Sequence, residues 1–430
     1  MEDNAQVTRQ SGAERLCGSI GAALCLAPCL LLVGTVGLGW NEKRDMCSHR
    51  AIAQGEAVVV PAGCGESDVR SSDGQLVTFS CPMRKDHLRP LAPPAGSDFA
   101  NAVRFVGTGL RTVSEMYQCV QEEHRETRKT SGGGTETVTR YTTKMEWVDH
   151  AVDSSDFSAN DGSGYMSICA GVPNPPWPAG VPTSGTIYAP HVEVGDFTIQ
   201  EELVEKVPLD KPVVGDEVHG WWTERDAYVT AKFESSRRTR AGRVRVSFTG
   251  NDWDRRVVTV LGENRAGYIH GWVAPSDWLC SGYALEDLRM GSLGVRELFL
   301  TMSKEATTLT WVLRFVGLAV LWIAFAMVAA PLGVAADCIP CVGPCLGDQV
   351  EKLVCCLACL PASTCCLGVV GVVWVAVRPR VGVPLILICL AVWMYGLSAG
   401  ARRRKQAEAA EHPMAGSAIG TGALLAGDMS

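Results

Sequence analysis

The chain has 430 residues, a formal charge of −7 and a mean hydropathy of +0.10, which leaves room for one or two soluble domains beside membrane spans. It carries no basic domain and no basic stripe interleaved with aromatic residues, so nucleic acid is excluded as an expected partner. It also lacks HExxH, GxSxG, a P-loop and a GxGxxG opening a helix after a strand, and its eight histidines stand singly, so no enzyme, metal or cofactor is expected.

Residues 1–15 are polar and of mixed charge, and Leu16 to Gly39 then run without a charged side chain. A run of about 20 apolar residues crosses the hydrocarbon core, so a first transmembrane helix is expected over 16–40. No small-x-small cleavage site precedes Trp40, which favours a retained anchor over a removed signal peptide. Residues 41–310 read as one captive region, β-rich with some helix, because many apolar residues alternate with polar ones. Val244, Val246 and Phe248 are expected on one face of a strand, with Arg243, Arg245 and Ser247 on the other. Met116 to Lys129 and Thr135 to His150 flank Ser131-Gly132-Gly133-Gly134 and predict a long hairpin. Further strands are expected at 57–60, 75–80, 227–233, 257–261 and 268–273. Proline-rich stretches at 89–96 and 161–185 read as exposed loops. The period changes toward helical over 284–310, which predicts an amphipathic helix at the membrane surface.

Three more apolar runs follow at 311–333, 353–377 and 381–399, charged only at Arg314. They predict three further transmembrane helices, joined by a cysteine-containing cytosolic loop at 334–352 and followed by a basic, then disordered, cytosolic tail at 400–430. The fold class expected is therefore a multispan α-helical membrane protein, one helix before and three after a large β-rich lumenal domain. Arg402-Arg403-Arg404-Lys405 sets the orientation, with both chain ends in the cytosol.

Of the 18 cysteines, two groups stand out. Cys47, Cys64, Cys81, Cys119, Cys169 and Cys280 lie in the captive region, an even number suited to as many as three disulfides in an oxidising lumen, with the connectivity open. Cys338, Cys341 and Cys345 lie in the 334–352 loop. Cys338-x-x-Cys341 has the spacing of half a zinc site, yet no histidine follows, and the readings left are reversible acylation and small apolar packing. Gly368 and Gly371 lie one turn apart and form the candidate helix-packing seam, as small residues let helices approach where lipid supplies no hydrophobic drive.

Several stretches together resemble the transmembrane protein 43 family, also called LUMA. They are Trp40-Asn41-Glu42, Glu115-Met116-Tyr117-Gln118, Tyr141 through Glu146-Trp147 to Asp156-Phe157, and Gly195-Asp196-Phe197 running to Leu203-Val204-Glu205-Lys206-Val207. Gly242 to Phe248, Val257-Val258-Thr259-Val260, Glu297-Leu298-Phe299 and Trp311 to Arg314 complete the set. Cys119, the proline-rich insertion and the cysteine content of the last spans depart from the family pattern. The resemblance implies a non-enzymatic scaffold of the endoplasmic reticulum and inner nuclear membrane. Such a protein would be embedded in the lipid bilayer, self-associate as a homo-oligomer, and organise complexes with nuclear envelope proteins of the emerin or lamin kind. The alternative reading is a membrane-embedded enzyme or lipid-handling protein using the thiol-rich loop.

Overall fold

Four helices among the described residues are long and apolar enough to cross a membrane, one N-terminal and three C-terminal, and a large β-rich region separates the first from the rest. The computed structural model describes residues 6–130, 133–155, 157, 173–235, 240–251, 255–276, 279–337, 343–377 and 379–411.

In chain order, β1 is Gln6–Gln10 and α1 Gly12–Gly21; a π-helical stretch, Ala22–Leu26, leads directly into α2, Ala27–Val58. Next come β2 (Val60–Pro61), α3 (Glu66–Ser71), β3 (Leu76–Arg84), β4 (Gly109–Lys129) and β5 (Thr135–Val148). Then follow β6 (Gly185–Tyr188), β7 (His191–Val194), β8 (Phe197–Gln200), α4 (Glu201–Val204), β9 (Lys211–Pro212), β10 (Trp222–Glu224) and β11 (Ala227–Thr230). The last strands are β12 (Val244–Gly250), β13 (Val257–Arg265), β14 (Tyr268–His270), β15 (Trp272–Val273), β16 (Ala284–Leu285) and β17 (Asp287–Met290). The chain closes with α5 (Val295–Asp337), α6 (Gly343–Val377) and α7 (Pro379–Glu411).

Chain contacts divide the molecule into two compact units. One holds Met1–Ser19, Asp45–Leu309 and Pro331–Glu351; the other holds Ile20–Arg44, Thr310–Ala330 and Lys352–Ser430. In the first unit, β13 pairs with β3, β3 with β7, β7 with β8, β8 with β14 in parallel, and β14 with β13 again. The strands thus close into a ring with no free edge among its members, and the inside is apolar: Phe79 stacks on Phe197 at 4.1 Å, and Met83, Val194, Ile199, Val258 and Val260 are buried. The second sheet runs β1-β5-β4-β12-β11-β10. Along β12, Val244, Val246 and Phe248 are buried while Arg245 and Ser247 are partly exposed, so the alternation written in the sequence sets the core face. Phe248 meets Phe99 at 5.4 Å, and Phe99 also packs edge-on against Trp221 and Tyr228. Tyr228 accepts a hydrogen bond from the Gly215 amide at 2.7 Å and donates to the Asp216 carbonyl at 3.2 Å. Burial pushes its hydroxyl above the usual tyrosine value, which keeps that donor proton in place.

A third apolar cluster explains why α2 and α5 continue beyond their apolar runs. Cys47, Ala51, Ile52 and Gly55 recur at helical spacing, and Ala51 and Ile52 pack with Leu285, Leu298 and Phe299. A Cβ at Gly55 would lie 2.5 Å from Leu285 Cδ1, so a larger residue there would make the Leu285 side chain shift. His49 on α2 meets Ser303 and Thr307 on α5 at 3.2 Å each. Arg289 on β17 forks onto Glu305 of α5, whose carboxylate holds the guanidinium above its ordinary value.

Four expectations are corrected here. Residues 57–58 end α2, and only Val60–Pro61 is strand, because the helix is extended by its buried face. Residues 284–290 are strand, not helix: Asp287–Met290 adds to β13, and α5 begins at Val295. The 334–352 loop is mostly helical, since α5 runs to Asp337 and α6 begins at Gly343, so Cys345 sits in α6 while Cys338 and Cys341 lie outside the described residues. The tail continues α7 to Glu411, through alanine, glutamate and lysine residues that favour helix.

The β4–β5 hairpin pairs from Met116↔Val148 to Lys129↔Thr135, turning through Gly133 at φ +79°. Beside that turn β1 adds to β5, with Gln6 opposite Thr139. Arg15 donates to the Gly133 carbonyl at 2.7 Å and pairs with Asp337 at 3.3 Å. Lys129 pairs with Asp337 at 3.2 Å and with Glu351 at 3.0 Å.

Candidate functional site

A charge inside an apolar helix is costly unless a partner and hydrogen bonds accompany it, so Arg314, near the start of the 311–333 run, marks where to look. In the second unit its partner is Glu42 on α2. The guanidinium forks onto the carboxylate with two bonds of 2.7 Å, and the Trp374 indole N–H, on α6, donates to the same carboxylate at 2.7 Å. The Glu42 side chain is 0% exposed and that of Arg314 14%. Arg314 also lies over the rings of Trp311 and Trp374, 4.8 and 5.5 Å from their centroids. One carboxylate therefore receives three donors from two other helices, and the three are pinned at one level. Asn41 donates to the Thr310 carbonyl at 3.1 Å, and Arg44 donates to the Thr310 hydroxyl at 3.1 Å.

Deeper in the apolar runs, α2 and α5 interlock through glycine. A Cβ at Gly34 would come within 2.9 Å of Leu321, and one at Gly317 within 2.5 Å of Leu38. Each helix thus seats a leucine on the other's glycine, and both leucines are buried. Leu38 and Leu321 share a cluster with Ala362 and Cys366 of α6, and Trp322 donates to the Cys355 carbonyl at 2.8 Å.

Of the two glycines singled out from sequence, Gly371 is buried, whereas no heavy atom lies within 4 Å of a Cβ built on Gly368. The tight intrachain seam is at Gly34 and Gly317, and the Gly368 position is open. Among the captive cysteines, Cys47 is bonded to Cys280 and Cys64 to Cys81; Cys119 is disulfide-bonded as well, and Cys169 lies outside the described residues. Cys355, Cys356, Cys359, Cys365 and Cys366 are free thiols on α6.

In the first unit, the solvent face of the second sheet holds a groove of about 570 Å³. Arg243 and Arg245 project into it beside Glu115, Glu224 and Trp147. Arg245 is already committed to Glu115 and to the Trp147 ring, and Arg243 to Glu224 and the Trp222 ring. Among the described residues no three His, Cys, Asp or Glu side chains converge as metal ligands. The groove is lined by paired cations and carboxylates with aromatic surface beside them.

The sequence flagged Arg314 as the lone charge of its span but did not identify Glu42 as its partner. The usable signal was the exit of the first span, where Glu42 follows the apolar run by three positions.

The family model for transmembrane protein 43 matches residues 116–379. Transmembrane protein 43 of Rattus norvegicus and of Mus musculus are each 26% identical over 297 residues, covering 67% of this chain and 67% of theirs. That of Homo sapiens is 26% identical over 298 residues with the same coverage. No solved structure matches.

Proposed function

Because the chain belongs to the transmembrane protein 43 family, we propose that it is a non-enzymatic scaffold of the endoplasmic reticulum and inner nuclear membrane that self-associates and organises membrane protein complexes and nuclear envelope structure. The observation that carries this reading is the Glu42–Arg314–Trp374 junction. Its charges are satisfied by one another within the chain, so they serve to hold helices together rather than to pass an ion or a proton along them. The open position at Gly368 leaves a small-residue surface on α6 for a second copy. The β-rich domain lies in the lumen and both chain ends lie in the cytosol. This orientation is supported by the disulfides Cys47–Cys280 and Cys64–Cys81, which persist in an oxidising compartment, and by the basic cluster at Arg402 to Lys405 after the last span.

Proximity labelling of the tagged protein in its own cells, paired with cross-linking in native membranes, tests the reading. Labelled neighbours drawn from the endoplasmic reticulum and nuclear envelope, together with a cross-linked homo-oligomer, are expected. Labelling confined to the cell surface, or a chain that stays monomeric at its natural level, overturns it. Replacing Cys338, Cys341 and Cys345 together with serine should leave location and assembly intact; complete loss of function would favour thiol chemistry instead.

A further inference from the structure

The groove on the second sheet exists because neighbouring strands bear side chains of unequal length there. Val229 of β11 stands opposite Arg245, which stands opposite Glu115 of β4, and Ala227 stands opposite Ser247. Two small residues between longer ones leave the space of about 570 Å³, the size of a small-ligand site. Four guanidinium groups and two carboxylates line it, a surplus of two positive charges. Arg245 is neutralised, forked onto Glu115 at 2.5 and 3.0 Å. Arg243 is not: it reaches Glu224 only at 3.7 Å, and its buried Nε has no acceptor. With the side chain 21% exposed, its donors are largely withdrawn from water without partners, which a folded chain seldom leaves so. The exposed side chains of Arg225 and Arg240 have no partner among the described residues. Both residues hold a left-handed backbone, at φ +49° and +57°, which any residue with a Cβ adopts at a cost. Arg225 and Asp226 form the two-residue turn between β10 and β11, where asparagine and glycine are the usual occupants. The turn thus carries a cation where the backbone favours another residue.

We propose that this groove binds a phosphomonoester, with the phosphate held by Arg225, Arg240 and Arg243. A phosphomonoester carries a charge of about −1.5 to −2 at neutral pH and three terminal oxygens. That charge matches the surplus in the groove, and the oxygens match three guanidinium groups whose donors are uncommitted. A planar guanidinium can meet two oxygens of one phosphate at once, which a lysine cannot. Arg243 is set in place before any ligand arrives. The Gly242 amide donates to the Tyr117 carbonyl at 2.9 Å, the Tyr117 amide donates to the Arg243 carbonyl at 2.8 Å, and the guanidinium lies 5.1 Å from the Trp222 ring centroid. Glu224 is the competitor, since its carboxylate stands near the cation that the phosphate would take. A soluble ligand and a phosphorylated lipid headgroup present the same group to this site. The groove lies wholly within the unit that holds the β-rich region, so the inference needs neither the orientation nor the self-association of the proposed function.

The test is calorimetric titration of the full-length protein in phosphatidylcholine nanodiscs, with empty nanodiscs as the blank. The probes are glycerol 3-phosphate, the water-soluble dioctanoyl phosphatidylinositol 4-phosphate, and succinate. Saturable binding of a phosphate probe, with succinate weaker, is expected. Binding of the lipid at least about tenfold tighter than glycerol 3-phosphate supports the site and assigns it to a headgroup; any smaller difference supports it and assigns it to a soluble ligand. No saturable binding of either phosphate probe up to about 10 mM, or succinate bound as tightly, overturns the proposal. Arg225→Asn with Arg240→Asn should weaken phosphate binding at least about tenfold while the thermal midpoint holds or rises, because asparagine accepts positive φ. Unchanged affinity in that variant overturns the site. Should the double variant fold poorly, Glu224→Gln decides: removing the competing carboxylate should tighten phosphate binding severalfold, a gain that damage to the fold cannot produce, and no gain overturns the proposal. Arg70→Ala removes an exposed arginine of α3 outside the groove and should leave the affinity unchanged. An equal loss there would make the effect one of overall charge and overturn the site.

Discussion

The membrane block and the β-rich region are held by opposite chemistry. In the block, apolar contact gains little because the surroundings are themselves apolar, and the specific fastenings include a buried ion pair and two glycine seats. In the β-rich region a closed ring of strands buries aromatic and branched residues, disulfides are added, and charge pairs such as Lys144–Glu122 stand in water. The same Arg–Glu contact is therefore a structural fastening in one region and nearly indifferent in the other.

The most severe test of that contrast is Arg314→Leu, which leaves Glu42 buried without its main partner and should cost about 3–5 kcal/mol, read as a lowered thermal midpoint in detergent. The double change Glu42→Leu with Arg314→Leu should recover most of that loss; a double variant as unstable as the single one would mean that the ion pair supplies net stability of its own. In the β-rich region the comparable blow is Cys47→Ser with Cys280→Ser, expected to cost about 2–5 kcal/mol and to be mimicked by reductant in the wild type. Gly317→Leu drives a side chain into Leu38 and should cost about 1–3 kcal/mol, whereas Gly368→Leu, facing open space, should leave the monomer's melting unchanged and weaken any oligomer. Lys144→Ala removes two exposed ion pairs of the hairpin and should produce no measurable shift in the thermal midpoint; a clear drop would place those charges in a less watery setting than the β-rich surface.

The spans were legible because lipid accepts one pattern only, a long run without charge, and the hairpin was legible from its glycine turn. The alternation of Val244, Val246 and Phe248 gave the core face of β12 directly. Residues 284–290 misled because Leu285 and Leu288 fit helical spacing; pairing of Asp287–Met290 with β13 decided the matter, and a tertiary partner is invisible in a local pattern. The continuation of α2 past Gly39 was written in the four-residue spacing of Cys47, Ala51 and Gly55, but the polar residues between them hid it. Glu42 and Arg314 stand 272 positions apart, and only the fold brings them together. The ring of strands had no local signature, since its closure depends on β8 lying parallel to β14 across about 70 residues.

The Cys47–Cys280 bond has a consequence for anyone who cuts this protein. Its two cysteines are 233 residues apart, and they enclose most of the region between the first and second spans. That segment is a covalent ring with a span leaving from either side of the clasp. A protease that opens the ring once releases nothing: the nicked chain keeps its mass and its anchors, and it migrates apart into fragments only when the clasp is reduced.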